Sequence, residues 1–398
     1  MMNIRKQIRR LNTFGFFACL RIPDAVWVVL LVGRGYSLWQ VGVAEGIFHI
    51  VSLVCEIPSG VAADLIGRRR SLAAAGICGV ISALLMAFSG GFLGVCASMV
   101  FSALACNFIS GSEEALLYDS LVQAGEEEKY LSVNARYAQI QNIGGMLSNA
   151  ASLLASVLRY VGFYLLDAAV CLVRVLTALS LKEPTVTETQ ARRVDHPFRD
   201  IGKRLREHIV QATAFLRSNP RVIPLMLADG LIGLPSYLTL MFLQQRLNEL
   251  GLSSMWLGFP VMAISISRIV GVAVGKRLQP KRLAALYAAC AVAVGVGTVC
   301  AGAAPLLPAV LGAMLAAGCM DAWLLHLQKR LNDLFPSDRR ATLISVNMMA
   351  YSLLMIVASP LVGWLGDLCH TAGAGLCALG GIVALAGILT AVIQRKRT

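Results

Sequence analysis

The sequence predicts an all-α membrane protein whose twelve transmembrane helices form two six-helix bundles. Of its 398 residues, 57% are hydrophobic and only 14% are charged, and the mean hydropathy is +0.70. A soluble protein of this length could not bury so much apolar surface. Apolar segments long enough to cross a bilayer, roughly 20 residues each, recur along the whole chain with mostly short connectors between them.

Six of these segments precede a polar stretch and six follow it. The first six cover residues 12–33, 38–62, 72–90, 92–118, 131–157 and 161–181, and the second six cover residues 221–246, 254–275, 283–303, 305–328, 341–366 and 372–393. The polar stretch, residues 182–220, is the one long connector between segments. We therefore expect an N-terminal bundle in 1–181, a central cytoplasmic loop in 182–220 and a C-terminal bundle in 221–398, the layout of two six-helix repeats.

The distribution of basic residues predicts the orientation in the membrane. If the N-terminus is cytoplasmic, 28 of the 35 lysines and arginines lie in cytoplasmic connectors and termini, whereas only Arg34, Arg159 and Arg246 lie on the opposite side. Lysine and arginine are retained on the cytoplasmic side of membranes. Both termini are therefore expected in the cytoplasm of a multi-pass protein of the cell membrane.

The net charge of +13 does not indicate a nucleic-acid partner, because the charges lie between apolar segments and accompany no base-stacking platform. The eleven cysteines show no CxxC pair or metal-like spacing, so neither a metal nor another cofactor is expected. A membrane enzyme would need a paired-acid metal site or a Ser/His constellation. Neither string occurs, and the chain is not expected to be an enzyme.

The most specific string is GVAADLIGRRR, residues 60–70, which closes the second predicted span and forms the following loop. Its defining positions are Gly60, Asp64, Gly67, Arg68 and Arg69. Glycines suit a tight turn and a close helix approach. The string resembles the GxxxDxxGRR signature of the major facilitator superfamily, and the likeness extends over the chain through span count, central loop and charge pattern. It implies a monomeric alternating-access carrier with a cavity between the two bundles.

The resemblance also implies a cytoplasmic latch. In such carriers the acid and the first arginine of the signature, here Asp64 and Arg68, contact an acid at the inner end of the fourth helix and the start of the eleventh. Asp119 stands in the place of that acid. The second half has Gly271 and Gly275 but no acid at the position equivalent to Asp64, so the latch is expected to be one-sided.

The second span carries a polar stripe at positions i, i+4, i+7, i+11 and i+14, which share one helical face. Its members are Glu45, His49, Ser52, Glu56 and Ser59. Polar groups in lipid must face water or protein. Two interpretations stay open: a satisfied helix contact, or a wall of the translocation path in which Glu45, His49 or Glu56 exchanges a proton.

Other polar residues inside the spans are candidates for the cavity or for proton coupling. They are Asp24, Glu113, Glu114, Arg136, Asn142, Asp229 and Asp321. Arg136 is expected at the depth of Glu113 and Glu114, where an ion pair could form, and Arg21 could pair with Asp24 three residues on. Arg174 and Arg268 also fall inside predicted spans. The resemblance places spans 1, 4, 7 and 10 around the cavity, which favours Asp229 and Asp321.

These features predict a proton-coupled exporter of a drug-like or amphipathic compound, with a proton gradient, a small-molecule substrate and the bilayer as partners. The fifth span has Asn142 to Leu147 where many drug antiporters carry a proline-glycine motif. The missing proline weakens the antiporter interpretation. The alternatives are a proton-coupled importer of a metabolite and a transport-inactive sensor or scaffold with a carrier fold.

Overall fold

The protein is described here from a computed structural model, which covers residues 3–184, 222–278, 282–334 and 340–395, together with 206, 210, 213, 214 and 217–220. The longer of these ranges contain fourteen α-helices and no strand. In chain order the helices are α1 Ile4–Cys19, α2 Trp27–Val32, α3 Leu38–Ile66, α4 Arg68–Phe88, α5 Phe92–Ile109, α6 Ser112–Gln123, α7 Tyr130–Ala150, α8 Tyr160–Ser180, α9 Val222–Glu249, α10 Gly258–Arg277, α11 Leu283–Ala303, α12 Leu306–Leu334, α13 Arg340–Leu368 and α14 Ala372–Arg395.

Every one of the twelve predicted apolar segments coincides with helical structure. Ten described spans are long and apolar enough to cross a membrane. The remaining two segments are the first, which is divided between α1 and α2, and the fifth, where α7 ends at Ala150 and a 3-10 helix follows over Ala151–Ser156. The predicted connector 182–220 lies almost entirely outside the described residues.

Two predicted spans are interrupted, which corrects the expectation of one continuous helix in each. In the first, α1 ends at Cys19 and α2 begins at Trp27; Pro23 lies between them and has no backbone N–H to donate to a helix. In the fourth, Gly111 separates α5 from α6 with a φ of +70°. Glycine adopts this left-handed conformation without the steric penalty that a Cβ would bring.

The helices are grouped into two compact units. The first unit consists of Met1–Asp24 and Ile50–Gln211, and the second consists of Ala25–His49 and Ala212–Thr398. Helix α3 contributes its beginning to the second unit and its remainder to the first. The bundle boundaries expected from the sequence, at 181 and 221, stay a prediction.

The core of the first unit forms where α1, α4, α6, α7 and α8 meet. Leu11, Phe14, Leu72, Leu117 and Tyr137 are buried together in it. These apolar side chains come from helices that are far apart in the sequence, and Leu72 lies in the first turn of α4. The core therefore fixes the start of α4, where the signature loop ends.

The second unit combines an aromatic core with close backbone contacts. Trp323 is fully buried, and its ring meets the Tyr287 ring edge-on at 5.3 Å between centroids. Gly271 on α10 faces the Gly318 backbone on α12 so closely that any Cβ at Gly271 would overlap it. Small residues permit such approaches between membrane helices.

The beginning of α3 packs against α13 inside the second unit. The Asp367 carboxylate accepts hydrogen bonds from the backbone N–H groups of Leu38 at 2.9 Å and Trp39 at 2.8 Å. Ser359 donates a hydrogen bond to the Gly42 carbonyl at 2.9 Å. An acid at a helix N-terminus satisfies unpaired donors and complements the helix dipole, so α13 fixes where α3 starts.

Candidate functional site

The signature loop lies in the first unit, at the junction of α3 and α4. Gly67 separates the two helices with a φ of +98°, so the predicted need for glycine in a tight turn is confirmed there. Gly60 is different, because a Cβ at this position would meet no described atom within 4 Å. The expected close helix approach at Gly60 stays a prediction. The Asp64 side chain lies outside the described residues.

Arg68 and Asp119 form a mostly buried ion pair across α4 and α6. The sequence placed both residues in the latch, and the structure brings them together. Their gating role stays a prediction.

The start of α4 is held by a residue that the sequence did not single out. The two carboxylate oxygens of Glu183 accept hydrogen bonds from the backbone N–H groups of Arg68 at 2.7 Å and Arg69 at 2.8 Å. The Arg69 guanidinium donates to the Leu179 carbonyl at 2.6 Å. Glu183 therefore ties the signature loop to the end of the sixth span, a contact that joins residues 115 positions apart.

Glu113 is bound by neutral donors instead of an arginine. Tyr137 donates its hydroxyl proton to Glu113 at 2.7 Å, and the Gln141 amide donates to the other carboxylate oxygen at 3.0 Å. Arg136 and Glu114 are both exposed. The ion pair expected between Arg136 and either glutamate is not formed in the described part of the chain. The candidate Asn142 makes no hydrogen bond to Glu113. Its side chain is exposed, and the neighbouring Gln141 donates to Glu113 instead.

Asp24 lies close to Arg21, as the sequence suggested, with 3.7 Å between the Arg21 Nε and a carboxylate oxygen. Both side chains are roughly half exposed. Asp167, from the sixth span, accepts a hydrogen bond from the Ile22 backbone N–H at 3.0 Å. Asp167 thus anchors the segment that follows α1.

The polar stripe of the second span makes different contacts in its earlier and later parts. Its later part lies in the first unit, where Ser52 donates to the Asn107 side-chain oxygen at 2.9 Å and the Asn107 amide donates back to the Ser52 carbonyl at 3.1 Å. This exchange is a helix contact between α3 and α5. Glu56 lies one turn further along the same helix and is partly buried.

The earlier part of the stripe lies in the second unit and contains a buried acid–base pair. The His49 Nε2 is 3.4 Å from a Glu45 carboxylate oxygen, and the His49 Nδ1 is 3.3 Å from the Ser352 hydroxyl. The side chains of Glu45 and His49 keep only 2% and 9% exposure. The His49 ring is approached edge-on by the rings of Tyr237 and Tyr351, at centroid distances of 6.4 and 5.8 Å.

The same two tyrosines line a cavity of about 470 Å³ within the second unit, called here the second-unit cavity. Helices α9, α10, α12 and α13 form its walls. Its polar and aromatic lining consists of Asp229, Ser236, Tyr237, Arg268, Trp323, Gln328, Asn347 and Tyr351. The volume suits a small organic molecule.

Asp229 and Arg268 are the charged groups of this lining. Asp229 accepts a hydrogen bond from the Asn347 amide at 2.7 Å. The Arg268 guanidinium contacts both carboxylate oxygens of Asp321, at 2.9 and 3.4 Å. Asp321, a cavity candidate from the sequence, does not line the cavity; it is mostly buried and binds the arginine that does.

The sequence did not identify Arg268, Tyr237 or Tyr351 as members of a site. A signal existed for Arg268, because an arginine inside an apolar span is costly and marks a partner or a function. The tyrosines carry no such signal. Across the described residues, no group of three or more His, Cys, Asp or Glu side chains is placed to hold a metal ion.

The family model of the Major Facilitator Superfamily matches residues 11–349 of the chain. The chain belongs to the major facilitator superfamily. The resemblance of the signature loop to this superfamily is thereby confirmed. A curated relative from Bacillus subtilis (strain 168), the uncharacterized MFS-type transporter YxaM, is 27% identical over 257 residues. That match spans 63% of this chain and only 61% of the relative's length.

Solved facilitator structures share the fold at low sequence identity. The nucleoside transporter NupG aligns with a TM-score of 0.77 at 16% identity, covering 98% of each chain. The peptide transporter POT in complex with sulfate aligns with a TM-score of 0.74 at 14% identity, covering 98% of this chain and 94% of the other. The predicted fold class, an all-α facilitator with two six-helix bundles, is confirmed.

Proposed function

We propose that this facilitator is a proton-coupled carrier that exports a small drug-like or amphipathic molecule, with Glu45 and His49 as the proton-carrying pair. It would act as a monomer in the cell membrane with both termini in the cytoplasm, as the basic residues favour. The observation that carries the proposal is the buried contact between Glu45 and His49 behind the tyrosines of the second-unit cavity.

The chemistry of this pair suits proton exchange. A glutamate and a histidine in contact hold one proton in a form with no net charge, whichever of the two carries it. Adding or removing a proton leaves a net charge in an apolar environment, which is costly unless water or a counter-charge arrives. A carrier that alternately hydrates and buries the pair would therefore load and release protons as it cycles.

The cavity next to the pair supports a small organic substrate. Its lining mixes aromatic rings with a few polar groups, as is usual for small-molecule sites. The His49 ring contacts Tyr237 and Tyr351, which line the cavity. A substrate that moves either tyrosine would therefore change the surroundings of the proton pair. Glu56, on the same helix, is a second candidate proton carrier.

A compound-susceptibility screen of cells with and without the protein would supply a substrate. Purified protein in proteoliposomes would then be given a pH gradient, and accumulation of that compound would be followed. We expect Glu45→Gln and His49→Gln to abolish pH-driven net transport while substrate exchange without a gradient continues. If Glu56 also carries a proton, Glu56→Gln should abolish pH-driven net transport as well.

Glu128→Gln is the matched control, because Glu128 is an exposed loop acid and the charge change is identical. Unchanged pH-driven transport in both Glu45→Gln and His49→Gln would overturn the assignment. Accumulation in the opposite direction would identify an importer of a metabolite. Absence of any flux across a broad panel would favour a sensor or scaffold, and a chemically altered compound would indicate an enzyme.

A further inference from the structure

The charges that line the second-unit cavity do not cancel. Arg268 lies in the cavity wall, but its guanidinium contacts both carboxylate oxygens of Asp321. The Asp321 side chain is only 10% exposed, and both of its carboxylate oxygens face the arginine. Arginine and carboxylate in this two-point geometry neutralise each other, and the pair adds no net charge to the cavity.

Asp229 has no such counter-charge among the described residues. Its contact within the described part of the chain is the Asn347 amide, which donates to one carboxylate oxygen at 2.7 Å and is neutral. The Asn347 side-chain oxygen is itself buried and accepts no hydrogen bond from any described residue. Side by side, Asp229 and Asn347 present unused acceptor oxygens and one net negative charge.

The rest of the cavity wall is aromatic and apolar. Tyr237, Tyr351 and Trp323 line it. Aromatic faces attract cations and pack against flat apolar groups.

We propose that Asp229 binds the ammonium group of a substrate that carries one positive charge on an aromatic or apolar body. The cation would supply the counter-charge that Asp229 lacks, and Asn347 would accept a second ammonium hydrogen bond. The aromatic wall would hold the body of the molecule. This proposal rests on the proposed transport function and names the substrate class of its cavity.

Three probes of nearly equal shape test it: 2-(1-naphthyl)ethylamine, which is cationic at pH 7, the neutral 2-(1-naphthyl)ethanol, and the anionic 1-naphthylacetate. The full chain would be placed in phosphatidylcholine nanodiscs, with empty discs as the blank for partition into lipid. Dissociation constants would be measured by equilibrium dialysis. We expect the amine to bind at least about tenfold more tightly than the alcohol, since a charge-assisted hydrogen bond contributes that much or more.

Asp229→Asn should remove the difference between amine and alcohol, and Glu128→Gln should preserve it. Asp321→Asn offers an independent check, because it frees the positive charge of Arg268; the amine should then bind more weakly and the acid more tightly. Equal affinity for amine and alcohol in the wild-type chain would overturn the proposal without any variant. So would a preference for the amine that survives Asp229→Asn. Because no pH gradient is applied, a failure of proton coupling leaves this result intact.

Discussion

The ion pair between Arg68 and Asp119 gives a quantitative test of the signature loop. Their side chains keep 19% and 14% exposure, which places the pair between a surface and a buried ion pair. Exposed pairs contribute about 0–1 kcal/mol, whereas removing one partner of a buried pair costs about 3–5 kcal/mol because a charge is left unpaired. We expect Arg68→Gln and Asp119→Asn each to lower the free energy of unfolding by about 2–3 kcal/mol.

The double variant distinguishes pairing from two independent losses. With both charges removed, neither is left unpaired, so the double variant should be about as stable as either single variant. The coupling energy between the two substitutions should then be about 2–3 kcal/mol, the size of one single loss. Unfolding would be followed by SDS titration of the purified protein in mixed micelles, and transport would be measured in parallel.

Arg70→Gln is the matched control, because Arg70 is the exposed third arginine of the same string. Its effect on stability should stay within about 0.5 kcal/mol. Additive losses in the double variant would refute the pairing argument. A loss at Arg70 as large as that at Arg68 would show that the loop needs positive charge in general and no specific partner. Full transport in both Arg68→Gln and Asp119→Asn would remove the gating role.

Three further predictions follow from the topology and the packing. Reporters inserted near Gln190 or fused after Thr398 should be cytoplasmic; an external signal from either would contradict the twelve-span orientation. Gly271→Ala should lower the free energy of unfolding by about 1–3 kcal/mol because its Cβ meets the Gly318 backbone. Gly381→Ala should be neutral or stabilising, because its Cβ would meet no described atom within 4 Å. Glu183→Gln should destabilise by about 1 kcal/mol through weaker capping of α4; an unchanged SDS midpoint would show that the cap contributes nothing.

The helices were predictable because each is encoded locally, by an apolar run of the length that a bilayer requires. The interruptions had local signals as well: Pro23 lies inside the first run, and Gly111 lies between α5 and α6. Hydropathy averages over such single residues. The apolar runs therefore appeared continuous, although the helices in them are interrupted.

The contacts of the site were less predictable because they join distant parts of the chain. Glu183 reaches Arg68 across 115 positions and Asp367 reaches Leu38 across 329, and neither acid belongs to a motif. Charge alone suggested Arg136 as the partner of Glu113, but Tyr137 and Gln141 satisfy that carboxylate on the same helix face. The packing of the two helices decides which donors reach the carboxylate. That packing cannot be derived from the spacing of residues in the sequence.

The dependence of α3 on α13 has a consequence for synthesis of the chain. Leu38 leaves the ribosome 329 residues before the Asp367 that accepts its backbone hydrogen bond. At translation rates of roughly 5 to 20 residues per second, that delay is on the order of 20 to 60 s. During it, the beginning of the second span is in the membrane without the helix against which it finally packs. Val41, in the turn before Gly42, is buried in the finished protein. In a nascent chain arrested before α13, a Val41→Cys substitution should be accessible to a thiol-directed label, and completion of the last two helices should protect it.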